Sequence, residues 1–418
     1  MITLHQMYVI FNVRQIRRAK CFPTQYNSDM RANPGGVLAS DEVVGRDQLI
    51  ADIWRALEVQ SVVLTSERRI GKTSVIRKMA EQASPAQSLA ILRDIEGLRT
   101  PEEFVEAVYS DVEMQLGKLD RAKLGLWRLL EKLGGTQIVD VKLPAIKVHW
   151  KGLLTALFED LFEAENRRII FFWDELPLFI FNVVQSCGEK AAMELLDVLR
   201  ALRQRHSRLR MVFTGSVGIH QVINSLKKSG YANDPTNDMA IIEVPPLSPP
   251  DGLWLAVQLL EGEELSSTEL IPELGNEISD ATGQIPYYIH VLVSRLRSRA
   301  GSVTVEQIRH ERDSMIQDPN DPAHFSYYEE RLKTYYSAAD VRLAFCALDA
   351  LCIADRPLPF SELTNLARYK TDILNDDDMR NVLSILMKDH YLQRDREGLY
   401  SFRYSIVQRW WRYARGER

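Results

Sequence analysis

The chain has 418 residues, 45% of them apolar and 26% charged, with a formal net charge of −5. That length exceeds one ordinary core and implies two or three domains. The small negative charge excludes a global pull toward nucleic acid, and no stretch is long and apolar enough to be read as a membrane span. Cys21, Cys187, Cys346 and Cys352 form no C-x-x-C pair, which points to reduced thiols and a cytoplasmic protein, without a zinc site or disulfide framework.

Residues 1–38 read as a poorly structured arm ending in the cluster RANPGG. A core is expected over 39–250. It opens with VVGRDQLIADIWRALEVQ, where Leu49, Ile50, Ile53 and Leu57 recur at helical spacing. SVVLT is a short β-branched run of the kind that forms a buried parallel strand. It leads into the loop SERRIGKTS and then the helical KTSVIRKMAEQ. Strand, loop and helix in that order are what a phosphate-binding loop requires. In such a loop, backbone N–H groups from Arg69 through Ile70, Gly71, Lys72 and Thr73 wrap a phosphate at the positive end of the following helix. Lys72 reaches the β- and γ-phosphates, Thr73 ligates Mg²⁺, and Gly71 leaves room for close backbone approach. Ser74, the next residue, is expected among the nucleotide-binding residues. Ser66 stands where the pattern has its first glycine, a substitution that costs up to about 1 kcal/mol if the turn needs positive φ. Arg68 and Arg69 have two readings, as solvated loop residues or as contacts to a neighbouring subunit.

LAILRDI is a second strand, and 101–133 reads as helical. TQIVDVKLPAIKVHW alternates about Pro144, which predicts a hairpin over 137–150 with Val139, Val141, Ile146 and Val148 on one face. A helix over 152–164 precedes RIIFFWDE, a buried run ending in Asp174 and Glu175. Two carboxylates at the end of a buried strand need a reason, because burying charge is costly. Asp174 holding Mg²⁺ and Glu175 polarising a water supply one. A helix over 188–205 and the strand LRMVFTGS follow, with Thr214 or Ser216 placed to sense a γ-phosphate. Alternating strands and helices give an α/β parallel sheet with covered faces.

Residues 251–318 read as a helical subdomain, with ATGQIPYYIHVL bending into a helix at Gly283 and Pro286. QDPNDPAHF marks the boundary to a last domain over 319–418. There, helices followed by a short hairpin around Gly398 outline a winged helix. Its candidate recognition helix begins NDDDMRNVLSILMKD. Three aspartates suit the helix dipole but repel phosphate, so a protein-contact module is favoured over a DNA reader. Arg394, Arg396 and Arg403 are the residues that would touch a DNA backbone. In RWWRYARGER, one tryptophan is expected to pack inward.

Taken together, VVGRDQLI, SERRIGKTS, IIFFWDE, FTGS, TGQIPYYIHVL and YSFRYSIVQRWWR resemble the prokaryotic AAA+/STAND ATPases, relatives of the origin-recognition ATPases, over about residues 42–415. The resemblance implies a P-loop NTPase core, a helical lid and a C-terminal winged helix, with ATP or ADP and Mg²⁺ as cofactors. It matches Val44 and Gly45 to the segment near the adenine. Lys72 and Thr73 match the phosphate and metal contacts, Asp174 and Glu175 the acidic pair, Ser216 the first sensor and Pro286 the lid proline. Arg295 and Arg297 are lid-sensor candidates, and Arg208 and Arg210 candidates to reach a neighbouring subunit. The expected activity is ATP hydrolysis driving a molecular switch, with protein partners or self-assembly as its output and no membrane. Two alternatives stand beside it: a DNA-binding initiator or loader, and a nucleotide-binding scaffold without turnover.

Overall fold

The computed structural model describes residues 30–120, 146–215, 218–299, 301–368 and 375–416. Its chain divides into two compact units: 48–66 with 72–244, and the residues up to Asp47 with 67–71 and 245–418.

The first unit is the α/β core. In chain order it carries α1 (Asp47–Val59), β1 (Ser61–Thr65), α2 (Lys72–Gln82), β2 (Ser88–Asp94), α3 (Pro101–Asp120) and α4 (Ile146–Ala164). Then come β3 (Arg168–Asp174), α5 (Leu176–Cys187), α6 (Glu189–Arg205), β4 (Leu209–Phe213), α7 (Ile219–Lys228) and β5 (Met239–Glu243). The five strands form one parallel sheet in the order β2-β3-β4-β1-β5. β3 reads RIIFFWD and is buried from Ile169 to Asp174, as a strand covered on both faces must be. Its aromatic residues anchor the core: Trp173 meets Phe104 edge-on at 5.0 Å and lies parallel to Phe213 at 6.0 Å. Each such ring contributes on the order of 2 kcal/mol by leaving water.

The expected hairpin over 137–150 is corrected. Ile146 and Val148 belong to helix α4, while 137–145 lies outside the described residues. Helical periodicity overrides the local alternation: Trp150, Leu153, Leu154, Leu157, Phe158 and Leu161 are all buried at 3–4 residue spacing. The helix expected over 101–133 is described as far as Asp120.

The second unit contains α8 (Pro249–Gly262), α9 (Ile271–Ala281), α10 (Pro286–Arg297), α11 (Val305–Gln317), α12 (Ser326–Tyr335) and α13 (Ala338–Ala354). It continues with α14 (Phe360–Arg368), α15 (Asp376–Lys388), β6 (Leu392–Arg394), β7 (Tyr400–Phe402) and α16 (Ser405–Arg415). Sequence-legible caps start several helices. Ser248 accepts from the Asp251 amide before two prolines, Thr304 and Gln307 form a reciprocal box, and Ser337 accepts from the Asp340 amide. Leu255, Leu259, Leu274, Ile278, Ile289 and Leu292 share one apolar cluster with Met30. β6 and β7 pair antiparallel, and Leu358 bridges to Tyr400 beside them. Tyr288, Phe325 and Trp410 stack in a column, 4.8 and 6.3 Å between successive rings.

Candidate nucleotide-binding site

Strand order places the chemistry. β4 lies between β1 and β3, so the loop after β1, the residue after β4 and the acidic end of β3 emerge along the same sheet edge. Parallel sheets bind ligands at the carboxyl ends of their strands. Asp174 is 4% exposed and sits where two hydroxyls converge. Thr73 Oγ1 donates to its Oδ2 at 2.6 Å, across 101 residues of sequence. Thr214 Oγ1 donates to its Oδ1. The Glu175 amide also reaches Oδ1, at 3.2 Å.

Lys72 opens α2, is buried, and donates from Nζ to the Ser66 carbonyl at 2.9 Å. Gly71 has φ of 102°, a conformation that disfavours any side chain, and a Cβ there would point into open space. Positive φ does not fall on Ser66, where the sequence raised the question, but on Arg69 at 71°. Strain in this loop is therefore carried by an arginine three residues further on. Glu175 is the second non-glycine outlier, at φ 59° and ψ 31°, in the N-cap position of α5. Left-handed backbone on such residues costs on the order of 1 kcal/mol and persists only where surroundings fix it.

The donor set suits a hard cation. A carboxylate and a threonine hydroxyl are oxygen ligands of the kind Mg²⁺ accepts while keeping several waters. Among the described residues, no three His, Cys, Asp or Glu side chains meet in a metal cluster.

No family model matches this chain, and no curated protein matches it. Solved structures do. A Walker-type ATPase of Pyrococcus abyssi aligns with TM-score 0.63 and 15% identity, over 92% of this chain and 99% of that one. The ORC2 protein of Aeropyrum pernix, solved in ADPNP and ADP complexes, aligns with TM-score 0.51 and 11% identity, over 89% and 95%. The fold is that of an origin-recognition-like P-loop ATPase.

Within this P-loop fold, Lys72, Thr73 and Ser74 form the first turn of α2, Asp174 ends β3 in contact with Thr73, and Glu175 follows it at the start of α5. Ser216 lies outside the described residues, and the neighbouring Thr214 makes the contact to Asp174. In the second unit, Gly45 has φ of 64°, and a Cβ there would lie 2.7 Å from the Asp251 carboxyl carbon. Val44 packs against the apolar cluster of that unit. Pro286 occupies the first turn of α10.

Arg295 pairs with Asp318 and Glu311, and Arg297 with Glu263, so both lid candidates hold carboxylates of their own unit. Arg208 donates to the Glu165 and Phe162 carbonyls. Arg210 is buried and caps the end of α1 through the Leu57 and Glu58 carbonyls. Both guanidiniums are therefore engaged inside the core.

Sequence reasoning missed Arg46. It is 3% exposed and donates to the Ile70 carbonyl at 2.8 Å and the Pro245 carbonyl at 2.7 Å. Burial lowers its pKa to about 10, partly offset by Asp251, so it stays charged at neutral pH. An arginine after Gly45 was the one available signal, and it belongs to no spacing rule.

Proposed function

We propose that the protein binds and hydrolyses ATP and works as a nucleotide-controlled switch. The observation that supports this best is the Thr73 hydroxyl on the Asp174 carboxylate, next to Lys72 at a helix N-terminus. Lys72 would leave the Ser66 carbonyl for the β- and γ-phosphates, and the first amides of α2 would receive negative charge. Thr73 and Asp174 would hold Mg²⁺, which neutralises charge on the phosphates when bound. Glu175 would orient a water and take its proton, and Thr214 would keep the Asp174 carboxylate in place. The ADPNP and ADP complexes of the ORC2 protein agree with an adenine nucleotide. Val44, Gly45 and Pro286 are proposed to serve its base and ribose, and Ser216 to sense the γ-phosphate.

The output is proposed to be a change of domain arrangement read by a protein partner or by further copies of the chain. We read helices α13 to α15 with the β6–β7 hairpin as a winged helix used for protein contact. Asp376, Asp377 and Asp378 are exposed at the start of α15, a poor surface for DNA phosphates.

Glu175→Gln tests the reaction. It should keep nucleotide affinity and lower turnover by about 10²-fold or more, since general-base groups contribute about 10²–10⁴. Phosphate release and binding of a fluorescent ADP, measured on the same sample, separate the two effects. Undiminished turnover would overturn the role of Glu175, and a wild-type protein that binds without turnover would favour the scaffold reading.

A further inference from the structure

Three consecutive side chains of the loop, Glu67, Arg68 and Arg69, are each gripped by the helical unit to which residues 67–71 belong. Glu67 is fully buried and Arg331, from α12, is 2% exposed. Arg331 Nη1 donates to Glu67 Oε1 at 3.1 Å and its Nη2 to Asp389 Oδ1 at 2.7 Å. Tyr336 donates to the other Asp389 oxygen at 2.6 Å. The same Glu67 Oε1 accepts the backbone N–H of Arg68 at 2.7 Å, so the carboxylate ties the loop's own backbone to Arg331. The Arg68 guanidinium lies over Tyr327 and that of Arg69 over Tyr287, each 4.2 Å from the ring centre.

We propose that Arg331 is a positioning residue of the phosphate loop, acting through Glu67 to hold the loop backbone in its nucleotide-binding conformation. The inference rests on the nucleotide reading of that loop. The physical argument is over-determination. Arg69 holds a left-handed backbone that a free loop would relax. A fixed guanidinium partner on residue 67 and aromatic partners on residues 68 and 69, together with Arg46 on the Ile70 carbonyl, remove that freedom before a ligand arrives. Ordering the loop in advance lowers the entropy lost on binding. Burial disfavours the Arg331 charge, but Asp389 and Glu67 outweigh it and hold the group well above the ordinary arginine range.

The test uses the full chain and fluorescent ADP with Mg²⁺, with thermal melts run in parallel. Glu67→Gln keeps the shape of the side chain and leaves Arg331 its Asp389 partner. It should fold and bind ADP about 10-fold more weakly. Arg331→Lys cannot bridge two carboxylates as a fork does and should weaken binding similarly. The double variant should be no worse than the weaker single, because both act through one contact. Trp411→Phe, in the same unit but with its own contacts to Asp349, Phe345 and Trp410 rather than to residues 67–69, should lower the melting temperature without changing ADP affinity, which separates positioning from general destabilisation. Glu67→Gln binding ADP as well as or better than wild type overturns the inference, as does an equal loss in Trp411→Phe. A folded wild-type protein that binds no ADP overturns the nucleotide reading and this inference with it.

Discussion

Asp174 receives a hydroxyl from each side, Thr73 from the first turn of α2 and Thr214 from the end of β4. The sequence singled out both segments, because strand, loop and strand end are local patterns with fixed spacing, but for other roles: Thr73 as a metal ligand, and Thr214 or Ser216 as a phosphate sensor. Arg331 and Glu67 were not readable, since 264 residues separate them and no periodicity marks either. Arg46 fails to show for a similar reason: its role is to satisfy carbonyls contributed by distant turns. Arg46→Met removes charged donors from two carbonyls and should destabilise the protein by roughly 3 kcal/mol, read from urea denaturation. Ser66 drew attention by its identity, yet backbone strain sits at Arg69, because which residue of a turn goes left-handed depends on what grips it.

Among elements, the parallel sheet and its flanking helices were legible because continuous apolar strands such as SVVLT and IIFFW alternate with amphipathic helices. The 146–150 segment was not, because a short alternating run is compatible with a helix once neighbouring residues supply a stronger period. Helix α16 shows the same limit. One of its two tryptophans was expected inward, and both are: Trp410 is 7% exposed and Trp411 fully buried. Adjacent helical positions differ by about 100°, so a wide apolar stripe can hold both. Trp411 donates from Nε1 to Asp349 at 2.8 Å, and Arg415 also reaches that carboxylate. Trp411→Phe keeps the ring contact with Phe345 but loses that donor. A loss of about 1–2 kcal/mol is expected by chemical denaturation.

For the whole molecule, acid stability offers a test. His290 is 4% exposed, and burial lowers its pKa to about 4, with its Nδ1 accepting the Asn33 amide at 3.1 Å. An unfolded histidine titrates near 6.5. Between those values the unfolded chain binds the proton and the folded one does not, so stability is full above about pH 6.5 and falls as pH drops toward 4. The loss reaches roughly 3 kcal/mol at its lower end. Denaturant midpoints at pH 7 and pH 5 should differ more in wild type than in His290→Gln; equal differences would exclude His290 as the cause.

Residues 67–71 group with 245–418, whereas the segments before and after them group with the core. The polypeptide therefore passes between its two units four times, at 47/48, 66/67, 71/72 and 244/245. Neither unit is a continuous stretch that could be cut out and expressed alone with all its parts. A fragment beginning at residue 245 would carry Arg331 into solution without Glu67, and a single protease nick at any one crossing would leave the two units still joined by the other three.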